Sequence, residues 1–357
     1  MEIMERKQTK ERRCAMNTIY RILSGIALPC VVVLLLGGCR KDLCDNHYRA
    51  AKVDTDWEQV WERDYGRDWK NNWSDERWGY PYAEFIPGAP EGISVLIYDD
   101  DSESTKTFLP SSGGEVILNA ENSSLLFYNN DTQYIIFDDM AKAPLARATT
   151  STRTRASLGV LHANERTVNP PDVLYAAFTP GLTGIDLHES YKLGVKMQPL
   201  VYTYLVRFKI EKGVEYASLA RGALAGMAEA VMLRDGSTPD ETATLLFDCR
   251  LTSWGAEAQV CSFGVAGFPD RYFGKAAGSK AKEAQRYTLN LELRLRNGRI
   301  KTLLFDVSDQ MLDQPRGGVI EVGNIEIGED DASVDSGFDV NVDDWGEYED
   351  IDLPITH

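Results

Sequence analysis

The sequence predicts a β-rich protein of stacked antiparallel sheets behind an N-terminal export signal. Two observations predict the strands: apolar and polar residues alternate with a period of two in several segments, and turn-forming residues separate these segments. A third observation is the globular composition of the 357 residues, of which 43% are apolar and 26% charged. These fractions exclude a disordered chain and a polytopic membrane protein.

The charge balance narrows the function further. The chain has 38 Lys and Arg residues against 55 Asp and Glu residues, which gives a net charge of −17. Sequence-independent binding of nucleic acid needs clustered basic residues, so this function is not expected. Six cysteines are too few for a disulfide scaffold at this length.

The N-terminal segment, residues 1–38, has the layout of a secretory signal. Basic residues precede an apolar run from Ile22 to Leu36, and this run is shorter than the roughly 20 residues of a membrane-spanning helix. Met16 would give a more usual signal length than Met1 and is therefore a candidate start. The run ends in Leu36-Gly37-Gly38-Cys39, which resembles a bacterial lipobox. The resemblance implies an acylated Cys39, whereas the alternative is an ordinary cleaved signal with an incidental cysteine.

The predicted strands follow in order along the mature chain. They comprise Ile93–Tyr98, Val116–Leu118, Leu125–Tyr128, Tyr134–Phe137, Val173–Phe178, Tyr202–Ile210, Leu245–Leu251, Ala258–Phe263, Tyr287–Leu295 and Ile300–Val307. Asn297-Gly298 predicts a tight hairpin between the last two strands. The Ala-rich segment Tyr216–Leu233 contains two glycines, so we expect at most short helical turns there.

The length of the mature chain predicts two domains. We place the boundary between Pro180 and Gln198, which gives an N-terminal β-sandwich at 39–188 with a Trp-rich insertion at 57–82. The C-terminal β-sandwich then spans 189–357 and ends in an acidic strand.

Several separate stretches together resemble one family. They are the segment Cys39–Cys44, the Trp-rich segment from Trp57, Leu126–Thr132, Pro199–Tyr204, Arg221–Met227 and Phe338–Trp345. In this order they resemble Bacteroidetes lipoproteins related to fimbrial anchor and minor-subunit (FimB-like) proteins, in a branch described only as a domain of unknown function. The resemblance implies an all-β fold of two tandem transthyretin-like antiparallel β-sandwich domains, and no catalytic residues or cofactors.

Aromatic residues recur in the Trp-rich segment at nearly helical spacing. The candidate residues are Trp57, Trp61, Trp69, Trp73 and Trp78. One hypothesis is a stacking platform for sugar rings. The other is that the rings pack an excursion of the chain onto a sandwich, since a spacing of four places neighbours on one helical face.

Chemistry-bearing motifs are scarce. The four histidines, His47, His162, His188 and His357, lack metal-ligand spacing, and neither a Gly-x-Ser-x-Gly nor a phosphate-binding loop motif occurs. We therefore predict no enzyme, no metal and no cofactor. Cys249 and Cys261 lie on consecutive predicted strands, where either a disulfide or two buried free thiols fit the pattern.

Two polar segments allow more than one interpretation. The segment Arg147–Arg155 is expected to be a solvated loop, with arginine-directed cleavage as the alternative. Eleven acidic residues and no basic ones lie between Glu329 and Asp352. Because Phe338, Val340 and Val342 alternate with polar residues, we predict a last strand with an acidic exposed face rather than a Ca²⁺ site.

These observations predict a lipid-anchored outer-membrane protein at the cell surface, of the fimbria or pilus type. It would be an accessory, anchor or tip-like subunit that pairs strands with fimbrial subunits in cell adhesion, because exposed sheet edges bind added strands. The alternative is a surface glycan-binding lipoprotein that uses the tryptophans.

Overall fold

The computed structural model describes residues 49–99, 105–118, 120, 122–155, 158–183, 191–273, 286–332 and 348–351. Strands dominate these residues, and the five described helices span only four or five residues each. No helix in the described ranges is long and apolar enough to cross a bilayer. The predicted signal peptide and Cys39 lie outside the described residues.

The elements are numbered in chain order. The strands up to residue 199 are β1 (Arg49–Trp57), β2 (Gly92–Asp99), β3 (Thr105–Pro110), β4 (Gly113–Leu118), β5 (Asn122–Asn129), β6 (Ile135–Asp138), β7 (Arg147–Thr150), β8 (Thr152–Thr154), β9 (Arg166–Val168), β10 (Tyr175–Thr183) and β11 (Tyr191–Pro199). The later strands are β12 (Tyr202–Lys212), β13 (Ala217–Ala228), β14 (Ala230–Met232), β15 (Thr242–Thr252), β16 (Gly255–Ser262), β17 (Thr288–Leu295), β18 (Ile300–Asp306), β19 (Gly318–Glu326) and β20 (Glu349–Ile351). The helices are α1 (Trp69–Asn72), α2 (Asp75–Trp78), α3 (Asp270–Phe273), α4 (Ser308–Leu312) and α5 (Glu329–Ala332), and Tyr82–Phe85 and Val214–Tyr216 are 3-10 turns.

Seven strands form the N-terminal sandwich, in the order β3-β2-β5-β10-β11-β1-β4. β10 and β11 share only two residue pairs, Tyr175 with Pro199 and Ala176 with Gln198, so two layers meet at this point. Apolar side chains from β1, β2, β4, β5 and β11 meet in one buried cluster. The cluster shows why the alternating strands form, since each layer buries one face against the other.

The C-terminal sandwich has the strand order β18-β17-β13-β15-β16-β12-β19. β15 belongs to both layers, because it pairs with β13 along most of its length and with β16 at its end. The predicted apolar faces of Tyr202–Ile210 and Tyr287–Leu295 lie largely in its core, which includes Phe208 and Leu291. The hairpin at Asn297-Gly298 is confirmed by the antiparallel pairing of β17 with β18.

Most strand pairs are antiparallel, as predicted. Three pairs in the described residues are parallel: β1 with β11, β12 with β19 and β9 with β15. Each parallel pair joins strands that are far apart in sequence, and this arrangement is invisible to a residue-by-residue pattern. The all-β prediction is therefore confirmed, and the topology is more interleaved than consecutive hairpins would give.

The two sandwiches share a buried cluster. It combines Leu96 and Leu126 of the N-terminal sandwich with Val231, Leu233 and Phe263 from later in the chain. The described residues accordingly belong to one compact unit. The last strand of the N-terminal sandwich, β11, ends at Pro199, and the next strand, β12, belongs to the C-terminal sandwich. The domain boundary at 188/189 stays a prediction.

The segment predicted to contain at most helical turns is a pair of strands. Residues 217–228 form β13, which lies between β15 and β17. The small residues of β13 leave room for large side chains of the neighbouring strands. A Cβ atom at Gly222 would lie 2.1 Å from the ring of Phe247. Alanine and glycine at these positions therefore reflect space next to a large neighbour rather than helix formation.

The prediction of a solvated loop at Arg147–Arg155 is wrong. Residues 147–150 form β7, the central strand of a sheet in the order β14-β7-β6, and residues 152–154 form β8. Ala148, Thr149 and Thr150 are buried. The polar composition misleads because the threonine backbone groups pair within the sheet, where β-branched residues are well accommodated.

Two segments cover the outer faces of the C-terminal sandwich. Residues 58–86, the aromatic strap, lie on β12, β16 and β19, where Trp61, Trp78 and Phe85 contact Leu205 and Val319. Residues 151–155 and 158–168, the polar strap, extend the sheet at β15, where β9 pairs with it, and contact β17 through Arg155 and His162. Parts of both layers are therefore covered on their outer side.

A buried arginine fixes the aromatic strap. The side chain of Arg207 is only 8% exposed, and its guanidinium lies 3.4 Å from Glu321 and 3.8 Å from Glu257. It donates a hydrogen bond to the carbonyl oxygen of Arg77 at 3.1 Å and stacks on the ring of Trp254 at 4.1 Å. Burial of a charge is costly without such partners, so these contacts are coupled.

We predict that Arg207→Ala lowers the free energy of unfolding by about 3–5 kcal/mol, because Glu257 and Glu321 lose their buried cationic partner and keep only the exposed Arg250 and Lys209. Urea unfolding measures the change. Lys209→Ala is the matched control: Lys209 pairs with the same Glu321 but is half exposed, so the expected cost is about 0–1 kcal/mol. Equal costs for the two variants would contradict the role of Arg207.

Candidate association surface

The five candidate tryptophans do not form a flat platform. Trp61 and Trp78 are 1% and 4% exposed, and Trp69 and Trp73 pack around them. The ring of Trp61 stands at 76° to that of Trp73, with the centroids 5.6 Å apart, and Trp69 stands at 78° to Trp78. Such edge-to-face contacts are typical of packed aromatic cores.

Trp57 lies apart from the other four. Its ring meets Tyr175 edge-on at 5.1 Å in the N-terminal sandwich, and its indole N–H donates to the carbonyl oxygen of Ser111 at 2.9 Å. The geometry thus corrects the stacking hypothesis in favour of packing. Two short helices, α1 and α2, replace the continuous helix that the spacing alone would suggest.

A polar contact closes the aromatic cluster. The Tyr82 hydroxyl donates to a carboxylate oxygen of Glu62 at 2.6 Å. Burial raises the pKa of Glu62 and also that of Tyr82, whose hydroxyl the carboxylate holds in the protonated state. This pair joins the first part of the aromatic strap to its last part.

The cysteines carry no bridge in the described residues. Cys249 and Cys261 are free thiols. They pack against different clusters, Cys249 against the core of the C-terminal sandwich and Cys261 against the cluster between the sandwiches. Burial raises the pKa of both thiols. Of the two alternatives from the sequence, the structure therefore has the free thiols, and the candidate disulfide is corrected.

A chain of hydrogen bonds holds the polar strap to the sheet. The His162 Nδ1 atom lies 2.8 Å from Glu165, and its Nε2 atom lies 2.9 Å from the Thr288 hydroxyl. Glu165 also accepts from the Thr242 and Thr244 hydroxyls at 2.7 Å each. The order carboxylate, imidazole, hydroxyl is that of a catalytic triad.

The surroundings of this hydrogen-bond chain favour a structural role, in which it holds the polar strap on the sheet, over a catalytic one. The other oxygen of Glu165 accepts the Gly226 N–H at 3.2 Å, so a nearby backbone donor is already engaged. A cavity of about 300 Å³ lies beside His162 and Glu165 and is not lined by Thr288. Within the described residues, no group of three or more Cys, His, Asp or Glu side chains is placed to hold a metal ion.

The predicted last strand at Phe338, Val340 and Val342 lies outside the described residues. A short strand further on, β20, pairs antiparallel with β8, with Glu349 opposite Thr154 and Ile351 opposite Thr152. The acidic C-terminal region therefore returns to the sheet edge at the polar strap.

Three arginines surround Tyr348, the residue before β20. The guanidinium carbons of Arg153, Arg221 and Arg155 lie 4.4, 4.5 and 6.0 Å from the centroid of the Tyr348 ring. Cations over an aromatic face are attracted by its quadrupole. We call this group the arginine cage. Burial raises the pKa of Tyr348 to about 12, so its hydroxyl stays neutral.

The acidic neighbour of Tyr348 adds a charge pair. One carboxylate oxygen of Asp350 accepts from Arg153 at 3.0 Å and from Asn169 at 3.1 Å. The hydrogen bond from Arg153 lowers the pKa of Asp350, and the one from Asn169 acts in the same direction. Asp350 is thus ionised at neutral pH, and its docking is expected to weaken only as the pH falls below the usual value of an aspartate.

Beneath the cage lies a fully buried ion pair. The Arg155 side chain is 0% exposed and lies 3.4 Å from Glu292, which is 2% exposed. The sequence did not predict this ion pair, since Arg155 and Glu292 lie more than a hundred residues apart in the chain. The sequence offered two signals for these contacts. One was the pair of nearby arginines, Arg153 and Arg155, and the other was the acidic run in the C-terminal region.

Comparison with known proteins gives one family match and several similar folds. Residues 84–248 match the family model of a domain of unknown function (DUF5119). A comparison with curated proteins finds no match. A candidate adhesin from Bacteroides ovatus has a similar fold: the TM-score is 0.55 at 19% identity, over 82% of this chain and 97% of that one. The protein thus shares its all-β fold with that protein over most of its length.

Two more distant structural similarities are to proteins from Bacteroides and Porphyromonas. One is to a candidate polysaccharide-binding protein from Bacteroides thetaiotaomicron, with a TM-score of 0.43 and 9% identity over 78% of this chain and 91% of that one. The other is to the fimbrial anchor protein Mfa2 from Porphyromonas gingivalis, with a TM-score of 0.43 and 8% identity over 77% and 90%. Both are too distant to support an argument about function. The resemblance to a branch described as a domain of unknown function is confirmed for residues 84–248.

Proposed function

We propose that the protein is a lipid-anchored accessory, anchor or tip-like subunit of a fimbria or pilus at the cell surface. It acts in adhesion by pairing strands with other subunits. The observation that supports this most is β20, a three-residue strand added to the edge of the short strand β8. Backbone pairing at an open edge is how one chain adds a strand to another.

The contacts of β20 suit a strand that exchanges. It pairs with β8 alone in the described residues, so side chains rather than a wide sheet hold it. Tyr348 and Asp350 supply these contacts through the arginine cage. Partly exposed ion pairs and single cation–π contacts are each weak, which makes release possible. The fold of the Bacteroides ovatus candidate adhesin is consistent with the same class of role.

The anchor is the second part of the proposal. The segment Leu36-Gly37-Gly38-Cys39 suits cleavage before Cys39 and acylation of its thiol. Each buried methylene contributes about 0.8 kcal/mol, so two or more acyl chains would hold the protein on the outer membrane. A body of net negative charge then extends from the lipid surface towards partner subunits.

We predict that Cys39→Ala moves the protein from the membrane fraction to the soluble fraction and abolishes labelling by a radioactive or clickable fatty acid. Cys44→Ala is the matched control, because it removes a neighbouring thiol and leaves the lipobox intact; it should stay in the membrane fraction. Unchanged fractionation and labelling of Cys39→Ala would refute the lipid anchor.

The strand-pairing proposal can be tested with a reversible disulfide between β8 and β20, which we call the staple. Thr154 and Glu349 are directly opposed in β8 and β20, so Thr154→Cys with Glu349→Cys can form a disulfide that locks β20 in place. We expect the oxidised double variant to lose co-isolation with appendage subunits from the native cells, and the reduced form to regain it.

Two controls accompany the staple. The single variant Thr154→Cys has no partner thiol on β20, so its co-isolation should not depend on oxidation. Mass spectrometry verifies the staple before each pull-down. Undiminished co-isolation of the fully oxidised double variant would show that exchange of β20 is not required.

A further inference from the structure

The arginine cage contacts one face of the segment that contains β20. Tyr348 and Asp350 are two positions apart in extended backbone, so their side chains lie on the same face, and Glu349 lies on the other. The centroid of the Tyr348 ring lies 4.4 and 4.5 Å from the guanidinium carbons of Arg153 and Arg221. The segment therefore presents a ring and then a carboxylate to the cage.

Backbone pairing alone gives the edge of β8 little selectivity. β20 and β8 share three residue pairs. Main-chain hydrogen bonds do not distinguish one extended segment from another, and an ordinary strand has roughly five or six residues. The side chains that the added strand turns towards the cage therefore decide which segments bind.

The carboxylate position has two donors. In the part of the chain that the structure describes, the ion pair of Arg153 is with Asp350, at 3.0 Å, and the Arg153 side chain is only 15% exposed. The buried Asn169 side chain donates to the same oxygen of Asp350 at 3.1 Å and to the Ser151 hydroxyl at 2.9 Å. A charged donor and a fixed amide thus converge on one oxygen, so this position favours a carboxylate over a neutral amide.

The ring position favours an aromatic face without a hydroxyl. Arg155 has its own carboxylate partner, Glu292, at 3.4 Å. Arg221 likewise pairs with Asp248 at 3.3 Å, so the charges of both arginines are balanced without β20, while their guanidinium groups still attract an aromatic ring. The Tyr348 hydroxyl is buried and has no hydrogen-bond partner among the described residues. Because a buried hydroxyl without a partner is costly, a phenyl ring suits the position better.

We propose that the arginine cage is a recognition site that selects, among strands of partner subunits, an extended segment with an aromatic residue two positions before a carboxylate. Such a segment adds to β8 in the place of β20. The proposal rests on the proposed function, in which β20 gives way to a partner strand, and it names the chemistry of that strand.

The test measures binding of a fluorescent peptide with the sequence of residues 346–353. The receptor is the full chain with Cys39→Ala, in which Tyr348→Ala and Asp350→Asn weaken the chain's own β20 so that the peptide can replace it. Urea unfolding verifies that the receptor folds like the chain with Cys39→Ala alone. We expect the parent peptide to bind with a dissociation constant below about 1 mM.

Three peptide variants test the two positions. The Tyr348→Phe peptide should bind at least as tightly as the parent, because it lacks the buried hydroxyl. The Tyr348→Ala peptide should bind about tenfold more weakly, as expected for the loss of the cation–π contacts. The Asp350→Asn peptide should bind about two- to fivefold more weakly, the range of a partly exposed ion pair.

An isomeric peptide is the matched control. Exchange of Tyr348 with Glu349 keeps the composition and the charge but moves the ring to the opposite face of the strand. No register of this peptide places a carboxylate two positions after the ring, because Ile351 occupies that position. The isomeric peptide should bind about tenfold more weakly than the parent.

Receptor variants test whether the cage is the source of the selectivity. Arg221→Gln should reduce the preference for tyrosine over alanine at position 348. It should leave the preference for aspartate over asparagine at position 350 unchanged, because other groups hold that carboxylate. Arg294→Gln, on the neighbouring strand β17 and outside the cage, should leave both preferences unchanged.

Hydrogen exchange tests the same preference without a peptide and without the weakened receptor. In the full chain with Cys39→Ala, the further change Tyr348→Ala should speed exchange of the β20 amides about tenfold. Tyr348→Phe should not speed it. This comparison decides the question even where the receptor variant does not fold.

The proposal is overturned if the parent and isomeric peptides bind equally, if the Tyr348→Ala peptide binds as well as the parent, or if no peptide binds at about 1 mM. Equal exchange of the β20 amides in the chains with tyrosine and alanine at position 348 would also overturn it. Undiminished co-isolation of the oxidised staple refutes exchange of β20 between subunits and does not alter these ratios. Failure of the proposal and failure of the proposed function can therefore be told apart.

Discussion

Buried guanidinium groups are the interactions on which the arrangement of this protein depends. Arg207 lies beneath the aromatic strap and Arg155 belongs to the polar strap, and each lies within 3.4 Å of a glutamate on the C-terminal sandwich. Removal of these charges from water is costly, so the straps persist only with every partner in place. Chain from the N-terminal half thereby covers part of the outer surface of the C-terminal sandwich.

This wrapping is the reason why we propose the sheet edges, and not the sheet faces, as the sites of association. Both outer faces of the C-terminal sandwich already carry a strap, and the tryptophans that resembled a sugar platform hold one of them. Among the described residues, the outer edge of β8 pairs only with the short strand β20. An acidic protein with such an edge is suited to binding an added strand, as the proposed function requires.

The sequence predicted the fold where local patterns are sufficient. The alternation in Tyr287–Leu295 and the turn at Asn297-Gly298 each depend on neighbours in the chain, and both are confirmed. The predictions failed where distant residues decide the structure. Thr149 and Thr150 are buried because β7 lies between β6 and β14, and Gly222 lies against Phe247 from another strand. The arginine cage combines residues from three regions, so neither spacing nor composition could reveal it.

The central claim is that β20 is held less firmly than the sandwich that it joins, and one measurement tests this directly. Native-state hydrogen exchange of the full chain compares the amides of Glu349–Ile351 with that of Val206 in the core. We expect the β20 amides to exchange through a local opening of much lower free energy than global unfolding, while Val206 exchanges only on global unfolding. Equal opening free energies for β20 and Val206 would contradict the account, because a strand that opens only with the whole fold cannot exchange between subunits.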